Sequence, residues 1–184
     1  MRQRSLIAIT AALSAGALTL TACGSRDSGG DKGSDSGGTV VTIGVDAPLT
    51  GDLSALGLGI KNSVDLAAKT ANKQKYVDGV TFKIEALDDQ AQPSSGQQNA
   101  TKLVADKSVL GVVGPLNSSV AETMQKVFDD AKLVEISPAN TNPALTQGTD
   151  WATAKKRVYK SYFRTATTDA IQGPFAAQYV YNDA

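Results

Sequence analysis

The sequence predicts an α/β fold built on a doubly wound parallel sheet. Three observations carry that expectation. Short apolar runs rich in β-branched residues alternate with amphipathic segments of helical period. Gly, Pro, Asn and Asp punctuate the junctions between them. Two loops, Gly114–Ser119 (GPLNSS) and Ser137–Thr141 (SPANT), each follow an apolar run and place hydroxyls and backbone groups close to a helix start. With a helix between them, the strands before these loops run parallel and their carboxyl ends share one sheet edge. Ligands of open α/β sheets settle there, beside helix amino termini. A loop pair offering donors and acceptors together suits a small zwitterion.

The first residues stand apart from the fold. Arg2 and Arg4 precede an apolar stretch, Leu6–Leu20, that ends in Leu20–Cys23 (LTAC), the form of an export signal. The stretch is short for a span, which needs about 20 apolar residues. Its ending is similar to the bacterial lipoprotein box, which implies a signal peptide over 1–22 and lipid attachment at Cys23. A free thiol behind an ordinary secretory signal and an uncleaved anchor are the other readings. Cys23 is the single cysteine, so the chain forms no internal disulfide. Residues 24–39 carry no large apolar side chain and read, with Cys23, as a Gly/Ser/Asp tether. Sixteen residues of this kind span roughly 20 to 24 Å. The expected location is the outer face of the cytoplasmic membrane, held by the lipid anchor.

From there the elements follow in order. Val40–Val45 (VVTIGV) reads as the first strand. A helix from about Gly57 to Asn72 puts Ile60, Val64, Ala67, Ala68 and Ala71 on one face, with Lys61, Asp65 and Lys69 opposite. The Asp78-Gly79 turn leads to Val80–Ala86, whose alternation suits an edge strand or one with a single well-covered face. A helix from about Ser95 to Asp106 leads to the strand Val109–Val113. Another helix follows from about Val120 to Ala131, burying Val120, Met124, Val127, Phe128 and Ala131. Leu133–Ile136 is the fourth strand. Asn142-Pro143 opens a helical turn, with asparagine at the cap and proline at the first helical position. Residues 148–160 are irregular, Ser161–Thr165 is strand-like, and Ile171, Phe175 and Tyr179 mark a last helix. That helix stops at Asn182–Ala184 with no following strand, so the expectation is the amino-terminal part of a longer protein.

Composition excludes several functions. Lys and Arg number 18 against 18 acidic residues; removing Arg2 and Arg4 with the signal leaves a net charge of −2, with no block of either sign. Nucleic-acid binding is not expected, and Lys155–Arg157 reads as a solvated loop. Histidine is absent, so neither a Ser-His-Asp triad nor a histidine metal site can be built from this sequence. No enzyme activity, cofactor or metal is expected. Asp88-Asp89 reads as solvated loop acids rather than a metal or phospho-acceptor pocket. Gly57-Leu58-Gly59 falls short of the dinucleotide fingerprint because Asn62 stands at the third glycine position.

The two hydroxyl loops hold the candidate site. Ser119-Val-Ala-Glu122 fits a capping box, which assigns Ser119 to the helix start. Ser118 is then either a ligand contact or a plain loop serine. Pro138 bars a helix at Ser137, leaving the Ala139 carbonyl and the Thr141 hydroxyl and amide available.

Ile43–Gly51 (IGVDAPLTG), Asp88–Pro93 (DDQAQP), Val112–Ser119 (VVGPLNSS), Ile136–Thr146 (ISPANTNPALT), Phe163–Thr165 and Gln172-Gly173 follow one another from about Val41 to the end. This series resembles the branched-chain amino-acid binding proteins, the extracytoplasmic substrate-binding components of ABC importers. The resemblance implies a two-lobed receptor of periplasmic-binding-protein type, its first lobe at 40–165 and the start of a crossover at 166–184. It implies that Ser118 meets a ligand carboxylate, Ala139 offers its carbonyl to the ammonium, and Thr141 touches both. Relatives often carry an aromatic residue where Leu56 stands, which implies an apolar wall there. It also implies a small amino-acid ligand, ABC permease subunits as partners, and a monomer. A sensory ectodomain of a signalling receptor and a surface enzyme are the competing functions.

Overall fold

The computed structural model describes residues 38–183. The signal, Cys23 and all but the last two residues of the tether therefore lie outside the described residues. Ten elements alternate: β1 (Thr39–Ala47), α1 (Ser54–Gln74), β2 (Val80–Asp88), α2 (Pro93–Ala105), β3 (Val109–Val113), α3 (Ser118–Ala131), β4 (Val134–Ser137), α4 (Ala144–Gln147), β5 (Tyr162–Arg164) and α5 (Asp169–Asp183). The five strands form one parallel sheet in the order β2-β1-β3-β4-β5. This is the α/β doubly wound architecture expected from the alternation, with β2 at an edge.

β1 pairs with β2 without interruption, from Thr39 opposite Val80 to Ala47 opposite Asp88. Its pairing with β3 shifts between Thr42 and Ile43. One face of the sheet is closed by α2 and α3 around Ala100, Leu103, Val112, Val120, Met124 and Phe128, all buried. The helices meet closely because Gly96 has no side chain; a Cβ there would lie 2.3 Å from Val120 Cγ1. Burying each such side chain contributes about 1.5 to 3 kcal/mol.

α3 buries a wider arc than its expected stripe. Ala121 and Gln125 are buried as well, because α3 also packs beside α4 and β5, where Ala121, Leu145 and Tyr162 form a second cluster. Ala131, expected inside, is exposed. On the opposite face α1 rests more loosely, with Gly57 its one buried residue. An apolar groove of about 410 Å³ separates Val64, Ala67 and Ala71 of α1 from Ile43, Phe82 and Val113 of the sheet.

Three helices start earlier than the sequence expectation, α2 at Pro93 among them. α1 begins a turn earlier, at Ser54, and α3 begins at Ser118. Asn117 is extended at the cap position, with φ −90° and ψ 132°. Ser119 is therefore inside the helix and exposed, and makes no capping bond. Glu122 does not reach back either; its Oε1 accepts from Asn142 Nδ2 at 2.8 Å. The sequence pattern of a capping box was present, and a neighbouring loop took its glutamate.

Candidate functional site

β1 leads through α1 to β2 on one side, while β3, β4 and β5 are laid down on the other. The reversal falls between β1 and β3. Outside their carboxyl ends lies the crevice that this topology opens to ligands.

The loop after β3 is shaped by Gly114. Its φ is +126°, and a Cβ there would sit 2.0 Å from the Asp46 carbonyl oxygen, so only glycine fits. The Gly114 amide donates to Ile136 O at 2.9 Å, continuing the ladder into the loop. The Asn117 carbonyl takes the amides of Val120 and Ala121, both at 3.1 Å. The amides of Ser118 and Ser119 have no acceptor among the described residues. These are the unpaired donors that favour an anion at a helix start. Ser118 Oγ makes one long contact, 3.4 Å from the Asn142 amide.

The loop after β4 is held from inside. Ser137 Oγ donates to Pro115 O at 2.7 Å and accepts from the amides of Ala139 and Asn140. Thr141 gives its carbonyl to the Asp169 amide at 2.9 Å. The Ala139 carbonyl and the Thr141 amide and hydroxyl have no protein partner among the described residues. Leu56, on the first turn of α1, is 58% exposed. With Ile60, Val64, Val113 and Pro138 it borders an apolar hollow of about 310 Å³. The four residues singled out from the sequence thus lie on one edge: donors at Ser118 and Thr141, an acceptor at Ala139, and an apolar wall at Leu56.

Acids behind this edge are buried or held by hydrogen bonds. Asp88 accepts from the amides of Leu49 and Gln90 and from Thr50 Oγ1, and so folds the loop before α1. Burial is the largest single influence on the Asp88 carboxyl and pushes it up, but these donors together outweigh it and leave it below the ordinary value. Asp89, expected to be solvated, is instead fully buried. Asp46 is fully buried beside it and is pushed up to about 8, first by burial and then by the Asp89 charge. Glu135 is buried with both carboxyl oxygens unpartnered, and burial raises it well above the usual range. Among the described residues no group of three or more acids, histidines or cysteines is placed to hold a metal ion. Arg157 is not simply solvated: its guanidinium donates to the Tyr159 and Tyr162 carbonyls and lies 4.9 Å from the Phe163 ring centre.

The family profile described as periplasmic binding protein matches residues 40–184. The chain belongs to that family. It is 34% identical over 140 residues to Leu/Ile/Val-binding protein BraC3 of Rhizobium johnstonii, covering 76% of the chain and 35% of the relative. The branched-chain amino acid transporter substrate binding protein LivJ of Streptococcus pneumoniae, solved with isoleucine, superposes with a TM-score of 0.68. Its identity is 25%, over 78% of this chain and 38% of that one. An ABC transporter substrate-binding protein of Desulfitobacterium hafniense, solved with Leu, gives 0.63 at 26% identity, covering 77% and 38%. The chain spans little more than a third of the length of these relatives. The resemblance to Leu/Ile/Val-binding proteins found in the sequence motifs therefore stands, and these three relatives are named as binding proteins rather than enzymes. No helix among the described residues is long and apolar enough to cross a membrane.

Asn140 and Tyr162 escaped the sequence analysis. Asn140 sits in a loop of small residues and Tyr162 on a three-residue strand, and nothing in their spacing signals that they meet.

Proposed function

We propose that this chain supplies one jaw of the extracytoplasmic substrate-binding component of an ABC importer. The jaw, 40–165, closes with a second lobe reached through 166–184 on a branched-chain amino acid or a related small amino acid or amide. The observation that supports this most is the set of unengaged polar groups at the switch-point edge, on a chain whose relatives are named Leu/Ile/Val-binding proteins. The Ser118 amide and hydroxyl and the Thr141 donors take the ligand carboxylate. The Ala139 carbonyl and Thr141 hydroxyl take the ammonium, and Leu56 faces the side chain. Hydrogen bonds to charged groups contribute about 1.5 to 3 kcal/mol each, so a few suffice for micromolar affinity, about −8 kcal/mol. The protein performs no chemistry on the ligand. It works as a monomer, anchored through Cys23 to the outer face of the cytoplasmic membrane, and delivers the ligand to permease subunits. Calorimetric titration of the complete protein with leucine, isoleucine and valine tests the proposal. Micromolar or tighter binding of at least one is expected, and no heat with any amino acid would refute it.

A further inference from the structure

Five polar contacts converge on Asn140, which is fully buried. Its side-chain amide donates to Leu116 O at 2.9 Å and to Pro115 O at 3.2 Å, both in the loop after β3. Its Oδ1 accepts from the Tyr162 hydroxyl at 2.9 Å. Its own amide donates to Ser137 Oγ at 3.0 Å, and its carbonyl accepts from Arg164 Nη1 at 2.9 Å. The two carbonyls only accept, so they hold the NH2 group against them and leave Oδ1 to accept from the Tyr162 hydroxyl.

We infer that Asn140 is a positioning residue of the ligand crevice, fastening the loop of Ser118 to the loop of Ala139 and Thr141, with Tyr162 holding its amide in the required orientation. This role rests on the amino-acid binding proposed above. Asn140 touches no ligand group in that scheme; it sits between the two residues that do. Two loops that carry the donors for one carboxylate must keep a fixed spacing, since small misplacements weaken every contact at once. The Ser137 hydroxyl and the Gly114 amide also tie the loops, but both act at the strand ends. Asn140 acts farther out, beside Ala139 and Thr141. Tyr162 and Arg164 both come from β5, so the edge strand reaches the crevice through two side chains. The Tyr162 ring is buried against Ala121 and Leu145, which sets where the hydroxyl points.

The test uses the complete protein, with Asn140→Ala, Tyr162→Phe and the double variant, and two readouts. In leucine titrations Asn140→Ala is expected to lose at least tenfold in affinity and Tyr162→Phe about threefold. The double variant should lose no more than Asn140→Ala alone; independent structural damage would multiply instead. In amide hydrogen exchange without ligand, the amides of Val120 and Ala121, which donate to the Asn117 carbonyl, should exchange at least tenfold faster in Asn140→Ala, while those of Leu103, Val112 and Met124 keep their rates. Unchanged exchange at Val120 and Ala121, or a uniform rise across the sheet, overturns the positioning role. If Asn140→Ala does not fold, Tyr162→Phe keeps the ring in place and is judged by the same local exchange. Absence of amino-acid binding by the unmutated protein would refute the proposed function, while the exchange arm still decides whether Asn140 fastens the loops.

Discussion

Replacing Asp46 by asparagine should make this fold more stable at neutral pH, against the usual expectation for altering a buried hydrogen-bonded residue. Asp46 Oδ1 accepts from Asn99 Nδ2 at 2.8 Å, while Asp46 Oδ2 and Asp89 Oδ2 find no donor among the described residues. The proton that Asp46 retains up to about pH 8 supplies that donor. A carboxyl whose folded pKa is raised binds its proton more tightly in the native state. Its contribution is complete below the unfolded value near 3.8 and is lost as pH climbs toward 8. Each retained proton costs up to about 1.4 kcal/mol per pH unit across that window. The depressed carboxyls, Asp88, Asp106 and Asp129, are ionised in both states above pH 5 and add no slope there. Asparagine keeps the Oδ1 acceptor and offers Asp89 a donor without titrating. Relative to the unmutated protein, Asp46→Asn should therefore gain about 2 to 3 kcal/mol between pH 5 and pH 7. Urea unfolding at pH 5, 6, 7 and 8 measures this. Parallel stability profiles for the two proteins would refute the protonated Asp46.

Thr141→Ala in the complete protein should weaken amino-acid binding at least tenfold, about 1.4 kcal/mol; an unchanged calorimetric affinity would remove Thr141 from the site. Glu135→Leu should stabilise the fold at pH 7 by about 1 kcal/mol or more, because a buried carboxyl with no partner is replaced by apolar volume. A drop in urea midpoint would show that Glu135 has a partner. Gly57→Ala should destabilise by about 1 to 3 kcal/mol, since the added Cβ would lie 1.9 Å from Pro48 O; an unchanged thermal midpoint would mean that the loop yields freely.

Strands were legible where β-branched runs are bounded by turn residues: Val109–Val113 lies where its pattern placed it, and Val80 begins β2 after Asp78-Gly79. Helix starts were less so. The Ser119 capping box failed because pattern alone does not show that Asn142, from another loop, engages Glu122. Ala121 and Gln125 fell outside the expected buried stripe because a single helix stripe carries no trace of a second neighbour, and that neighbour is β5, far along the chain. Within the crevice, the loop backbone groups could be read from Pro138 and from the helix start. The support beneath them could not, because Asn140, Tyr162 and Arg164 are joined by tertiary contacts rather than spacing. Asp89 was read as a solvated loop acid; only the register of β1 against β2 and the packing of Asn99 show it and Asp46 enclosed.

The contact between Gly57 and the Pro48 carbonyl has a mechanical consequence. α1 leans on the loop that precedes it with no side chain between, and Asp88 grips that same loop through Leu49 and Thr50. The helix start cannot slide along its axis without dragging the loop and the end of β2 with it. Leu56, mounted on that start, is thus an anvil rather than a finger. In the proposed binding scheme, a ligand side chain pressed against it would meet a helix start braced by that loop and by the end of β2.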